Sequence, residues 1–303
     1  AEFTEKFGIE IEFVVAADDS GSQLATLISS DSVPDIITVE GLWNAQDTEL
    51  LRQMAEAGML YSYNDLIDQY VVEEEKAGFR ADVLAWYALA DGKTYAYPNY
   101  AYSEDDLPEG KGLIPNRCIV VRADMYEQLG SPDMSSPEAF LDACERAMTE
   151  IGTYNDLPVI GIQLYENGNE AYDIVSSYFA VPWETEDGHA YNAWANGANK
   201  ETYAFLNEAY RRGLILESNY TRDQVREKIA NGRVFALIAA PQDFYNEFVT
   251  LYEADPNAYY IPVELRNANG DEPVLGDISG WGYLQTAISA NCKAPDRLIQ
   301  FIS

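Results

Sequence analysis

The stretch Asp91-Gly92-Lys93-Thr94-Tyr95-Ala96-Tyr97-Pro98-Asn99-Tyr100-Ala101-Tyr102, with the apolar run Ile119-Val120-Val121 beyond it, decides how this chain is read. Asp91-Gly92 is a tight-turn pair. Thr94 to Tyr97 then read as a strand, and Pro98 stops regular pairing because it has no N–H to donate. Tyr95, Tyr97, Tyr100 and Tyr102 crowd the bend, and a polar segment, 103–112, follows. Cys118 to Val121 is strand-like again; Ala123 to Leu129 reads as a helix stopped by Gly130. An aromatic bend between two apolar strands reads as a crossing between two lobes.

Upstream, Glu2 to Phe7 is helix-compatible, and Ile9, Ile11, Phe13 and Val15 alternate with Glu10 and Glu12 as in a half-buried strand. A helix with Leu24, Leu27 and Ile28 on one face leads to Ile36-Ile37-Thr38-Val39, a short apolar strand of the buried parallel kind. Asp47 is the expected N-cap of the next helix, with Leu50, Leu51 and Met54 facing the core and Gly58 as its stop. Helix, strand, helix, strand, helix is the doubly wound α/β pattern, in which ligands bind at the carboxyl ends of strands. A parallel sheet predicts a strand before the first helix, so a piece is expected to be missing at the front.

Downstream, Ser136-Pro137-Glu138 is a helix start, with Phe140, Leu141, Cys144, Ala147 and Met148 as its buried face. Val159 to Ile162 reads as a strand and Tyr172 to Phe179 as a short helix. Tyr203, Leu206 and Tyr210 form the stripe of another helix. Thr221 with Gln224 makes a capping box. Val234 to Ala240, Tyr259 to Val263 and a segment within Gly276 to Ile288 read as strands, and Pro295 opens a last helix.

The 303 residues predict about two domains. Lys and Arg number 19 against 51 Asp and Glu, a formal net charge of −32. A surface this acidic repels phosphate backbones and anionic lipid, which argues against nucleic-acid partners and electrostatic membrane docking. No apolar run approaches the ~20 residues that span a bilayer. Cys118, Cys144 and Cys292 lack metal-ligand spacing and read as buried small hydrophobes. His189 is the sole histidine, so no multi-histidine metal site can form; no metal and no cofactor are expected. Asn219-Tyr220-Thr221 is a sequon to which no role is given.

Several blocks together resemble the extracellular solute-binding proteins of ATP-driven sugar importers, the broad family that includes maltose-binding protein. They are Pro34-Asp35-Ile36-Ile37, Asp91 to Pro98, Ile119 to Met125 before a proline-started helix, Asn231 to Leu237, and Ile278 to Gly282 followed by Ser289 to Asp296. The exported lipoprotein branch of Gram-positive bacteria is the most similar. The resemblance implies an α/β, two-lobed, periplasmic-binding-protein-like (type II) fold with hinge crossovers. Lobe 1 would comprise 1–116 plus 256–303 and lobe 2 117–255, with a sugar or oligosaccharide in the cleft between them. It further implies a monomer without enzymatic activity, working with membrane permease subunits and anchored outside the cell through a segment not present here. The family's first strand and its closing helices are absent, so a fragment is expected.

Aromatic faces cover the C–H surface of a sugar and planar polar side chains satisfy its hydroxyls. The chain has 22 tyrosines and 5 tryptophans. Glu40 and Trp43 follow the Ile36 strand, where the family's contacts cluster; the alternative for Trp43 is packing under the next helix. Asn99 and Tyr100 follow Pro98, where the family places cleft residues. Glu166 and Trp183 occupy loops that carry polar and stacking contacts in the family. Gln242 stands where the family often has a stacking tryptophan, which suggests a hydrogen bond there or a shift of stacking to Tyr245. Trp281, between glycines, reads either as a ligand contact or as hinge packing. Asp18 and Asp19 follow the Ile9 strand and are otherwise solvated loop residues.

Two other readings remain open at this level. The same fold could take a polyamine or cationic peptide, given the acidic charge. A glycoside hydrolase would need two carboxylates about 5–9 Å apart, and nothing singles out such a pair among so many. Tyr259-Tyr260 resembles ferric-iron tyrosine pairs, but neighbours in a strand face opposite sides.

Overall fold

The computed structural model describes residues 8, 10–15, 22–30, 32–41, 45–99, 116–165, 168, 170–216, 221–274 and 282–302. In chain order its first elements are α1 (Ser22–Ser29), β1 (Ile36–Glu40), α2 (Ala45–Glu56), α3 (Tyr63–Tyr70), α4 (Ala81–Trp86) and β2 (Ala96–Pro98). Then come β3 (Cys118–Arg122), α5 (Ala123–Gln128), α6 (Pro137–Arg146), β4 (Thr153–Tyr154), β5 (Leu157–Pro158), β6 (Ile160–Leu164) and α7 (Ala171–Tyr178). The remainder is α8 (Ala193–Asn196), α9 (Lys200–Arg211), α10 (Arg222–Ala230), β7 (Val234–Ala239), α11 (Tyr245–Ala254), β8 (Tyr260–Pro262), β9 (Leu284–Ile288) and α12 (Pro295–Ile302).

The chain divides into two compact units, Ala1–Glu109 with Ile278–Ser303, and Gly110–Asp277. This differs from the division expected at 116, 117 and 255. Tyr260 to Pro262 pairs with β3, so the stretch after 255 belongs to the second unit.

In the first unit the sheet order is β1-β9-β2, and β9 is antiparallel to both neighbours. The parallel, doubly wound arrangement expected here is therefore not what the described residues form. β9 returns from the far end of the chain and lies between β1 and β2, a pairing that no local pattern announces. β1 shows alternating burial rather than the fully buried pattern of a parallel strand. Glu10 to Val15 are all exposed and pair with no described strand; Phe13 and Val15 are each 81% exposed. Alternation marks a strand only where an edge is present to complete its ladder.

One core of this unit joins α3, β9 and α12 through Tyr63, Leu66, Ile288, Leu298 and Ile299. Tyr97 belongs to it as well. Its ring stacks 5.7 Å from that of Tyr63 and meets Phe79 edge-on at 5.3 Å, and its hydroxyl accepts the Arg80 N–H. Tyr95 donates to Asp91 at 2.7 Å. Two tyrosines of the bend thus serve the fold.

In the second unit the order is β6-β7-β3-β8; β6 and β7 are parallel and β3 runs against both β7 and β8. Every residue of β3 and β7 is buried. Residues of α6 (Phe140, Leu141, Cys144) and α7 (Ile174, Val175, Tyr178) share their core. The helix starts follow the sequence signals. Ser136 accepts from Ala139 N–H ahead of Pro137, and the Thr221–Gln224 capping box is formed. The α9 stripe is different: Thr202, Phe205 and Ala209 face inward, while Tyr203 and Tyr210 are 43% and 47% exposed. Both sets share helical spacing, and the smaller Thr202 and Ala209 let α9 lie close to its neighbour. Arg122 is wholly buried, 2.6 Å from Asp124, bonded to the Gly232 carbonyl and 4.5 Å from the Tyr154 ring centre. All three cysteines are free and buried.

Candidate functional site

Strand direction places the candidate residues. In the first unit, β1 and β2 both run against β9, so their carboxyl ends share one edge with the start of β9. Glu40 ends β1 and is half-buried there. Asp47 lies in the first turn of α2, not at its N-cap as expected, because the helix begins at Ala45. Burial, and then the charge of Glu40, pushes the Asp47 carboxyl above the ordinary carboxylate range. Asn99 follows β2. Its side-chain oxygen accepts the Leu284 N–H at 2.7 Å, and its own N–H donates to the Leu284 carbonyl at 3.0 Å. That oxygen is therefore engaged in holding β2 to β9. Tyr87 and Gln285 complete the group. Burial raises the Tyr87 hydroxyl, offset in part by hydrogen bonds from the Gly282 backbone and the Gln285 side chain.

In the second unit the carboxyl ends of β6 and β7 share an edge with the start of β3. A polar array gathers there. Arg117, just ahead of β3, stands 3.0 Å from Glu170 and 3.9 Å from Asp173 at the start of α7. Tyr165, just after β6, donates its hydroxyl to Asp243 at 3.0 Å and accepts from Arg222, whose guanidinium lies 5.3 Å from the ring centre. Glu170 Oε2 is buried and has no hydrogen-bond partner among the described residues. Burial raises the Glu170 carboxyl; the Arg117 charge opposes this, while Asp243 and Asp173 reinforce it. Gln242 and Tyr245 follow β7 beside Asp243 and are exposed, Tyr245 by 68%.

Of the residues singled out in the sequence, Glu40 and Asn99 come to one edge and Gln242 and Tyr245 to another. Trp183 is 61% exposed at the base of a hairpin closed by the Glu184–Ala190 bridge. Asp18, Trp43, Tyr100, Glu166 and Trp281 lie outside the described residues. Sequence reasoning missed Asp47, Tyr87 and Gln285, and with them Arg117, Tyr165, Glu170, Asp173, Arg222 and Asp243. The strand-end rule that selected Glu166 extends to Tyr165 and Glu170 on either side of it. Arg117 carried no such signal, because only the antiparallel placement of β3 brings its start to this edge. Among the described residues no group of three or more His, Cys, Asp or Glu is arranged to hold a metal ion, and no helix is long and apolar enough to cross a membrane.

No protein-family model matches the chain, and no curated protein is similar to it in sequence. Solved structures are. The ABC-transporter substrate-binding protein FusA of S. pneumoniae, in complex with kestose, has a TM-score of 0.72 at 19% identity, over 99% of this chain and 61% of that one. The GacH receptor of Streptomyces glaucescens, studied unliganded and with acarbose, has a TM-score of 0.62 at 13% identity, over 99% and 69%. A sugar transporter of Arthrobacter chlorophenolicus with bound laminaribiose has a TM-score of 0.56 at 14% identity, over 94% and 64%. The chain thus spans 61% of the length of the FusA structure. At these identities the likeness is one of fold: this chain has the α/β fold of ABC-transporter substrate-binding proteins, the type II periplasmic-binding-protein class.

Proposed function

We propose that this chain is the ligand-recognising part of an extracellular solute-binding protein serving an ABC importer, and that its ligand is a sugar or oligosaccharide. The observation that carries the reading is Glu170 Oε2, a buried acceptor without a described partner, next to the Arg117 guanidinium. A buried acceptor left unfilled is costly, and a ligand hydroxyl donating to it removes that cost. The fold likeness to structures that hold kestose, laminaribiose and acarbose supports the same class of ligand.

Arg117, Tyr165, Glu170, Arg222, Asp243, Gln242 and Tyr245 are the contacts assigned to the second unit, and Glu40, Asp47, Tyr87 and Gln285 those of the first. Trp43, Tyr100, Glu166 and Trp281 remain assigned from the sequence alone, as do Asp18, Asn99 and Trp183. The second-unit array sets two guanidiniums against three carboxylates, Glu170, Asp173 and Asp243. In a chain of net charge −32 that near balance favours an uncharged polyol over a polyamine. The expected permease partner and extracellular anchoring belong to this reading.

Thermal melting with a glycan panel tests it, because a ligand bound only by the native state raises the melting temperature. At least one neutral glycan is expected to do so, with no reducing sugar released on incubation. A rise with spermidine and with no glycan would transfer the site to a cationic ligand, and release of reducing sugar would make the chain a hydrolase.

A further inference from the structure

Next to the polar array is a cluster of three rings, Tyr172 half-buried and Trp194 and Tyr203 exposed, that the proposed contacts do not use. Tyr172, Trp194 and Tyr203 meet with ring centres 5.1 Å (Tyr172–Tyr203), 5.5 Å (Trp194–Tyr203) and 6.0 Å (Tyr172–Trp194) apart. The three centres form a near-equilateral triangle, so no ring is sandwiched between the other two. Trp194 is 67% exposed and Tyr203 43%. Trp194 gives most of its area to solvent and so does little for the core, and grouped rings with exposed faces mark a binding surface.

The patch is built to hold its shape. Asn192 caps α8 by accepting the Ala195 N–H at 3.0 Å, and Gly197 closes that helix in the left-handed conformation at φ 69°. Trp194 is therefore fixed from both sides. Tyr203 projects from α9, which is tied to α7 by the 3.1 Å Ser176–Thr202 hydroxyl contact. The Trp183 carbonyl accepts the Tyr191 N–H at 2.9 Å on the hairpin leading into α8, and its indole is exposed.

Its position relative to the array is set by α7. Glu170 is the N-cap residue of that helix, and Tyr172 and Asp173 lie in its first turn. Asp173 faces Arg117, whereas Tyr172 faces Tyr203 on α9. One helix start thus carries the array on one flank and the rings on the other.

We infer that the ligand is an extended oligosaccharide, with one end held by the polar array and its later units lying on Tyr172, Trp194 and Tyr203. This rests on the sugar-binding reading above and adds a length preference to it. Monosaccharides and disaccharides reach only the array; longer chains gain the C–H contacts of the rings.

Calorimetric titration of the whole chain with fructo-, laminari- and malto-oligosaccharide ladders, from one to six units, tests this. In at least one ladder the affinity is expected to rise with length by about tenfold or more beyond the disaccharide. Trp194→Ala and Tyr203→Ala should flatten that rise while leaving the shortest bound member unchanged. Tyr252→Ala, an exposed tyrosine on α11, should leave the rise intact. Binding independent of length, or an equal loss at every length in Trp194→Ala, overturns the inference while sparing the sugar-binding reading. Failure of every ladder overturns both. Light scattering that shows a dimer in the wild type and a monomer in Trp194→Ala would give the patch to a second copy of the chain and likewise overturn the inference.

Discussion

Arg117 and Glu170, far apart in sequence, meet at 3.0 Å at the start of α7, and the second oxygen of the same carboxylate is buried without a described partner. The guanidinium does not fully offset the cost of burial, so the carboxyl titrates above its ordinary range. A folded-state pKa raised above the unfolded value near 4.3 means that ionised Glu170 costs stability at neutral pH. That cost disappears as the pH falls through the folded-state pKa. Glu170→Gln should therefore melt higher than the wild type at pH 7, and the two should converge as the pH approaches about 4. Calorimetric melts across that range check it; a variant that melts lower at pH 7 would show that the ion pair outweighs burial.

Tyr165 links the other two groups of the array. Its hydroxyl donates to Asp243 and accepts from Arg222. Tyr165→Phe keeps the ring against Phe244, 5.8 Å away, but removes the donor from Asp243. A loss of about 1–2 kcal/mol is expected in urea unfolding, together with weaker glycan binding. A variant with unchanged affinity would remove Tyr165 from the site.

How much of this was legible follows from the distances involved. Ser136 with Pro137, Thr221 with Gln224, and Pro295 mark helix starts within four residues, and the structure forms a helix at each. The insertion of β9 between β1 and β2 depends on segments nearly 190 residues apart (Asn99 to Leu284, separated by 185), which a periodic pattern does not encode. The α9 stripe shows the same limit on a smaller scale. Tyr203 and Tyr210, and Thr202 and Ala209, are equally good helical faces, and only packing against α7 chooses between them. At the candidate site, the strand-end rule led to loops beside the polar array but not to its charged partners. Arg117 becomes a partner of Glu170 only once β3 is known to run against β7.

Gly282 is a test of the first unit. A Cβ there would stand 2.1 Å from the Asn99 carbonyl oxygen and 2.4 Å from Pro98 Cβ. Backbone cannot yield as a flexible side chain does, so Gly282→Ala should push β2 away from β9 and cost about 1–3 kcal/mol. Urea unfolding checks the stability, and protection of the Leu284 amide, which donates to Asn99, checks the register. Full stability with full protection would contradict the packing of this edge.

The cysteines should be inert in the native state. Burial pushes the Cys118 thiol up to about 11 and the Cys144 thiol far above its usual range. Only the thiolate reacts with a disulfide reagent, so neither should be modified at pH 8 until denaturant is added. Prompt native-state labelling of Cys118 or Cys144 would mean that the second unit opens readily.

Isothermal titration of the wild type and Glu170→Gln with kestose, laminaribiose and acarbose tests the central claim most directly. The account predicts saturable one-to-one binding of at least one of these by the wild type, weakened about tenfold or more in the variant, as expected for loss of a charge-assisted hydrogen bond. Equal affinity in the two proteins, or no binding by the wild type while it binds spermidine, would contradict it.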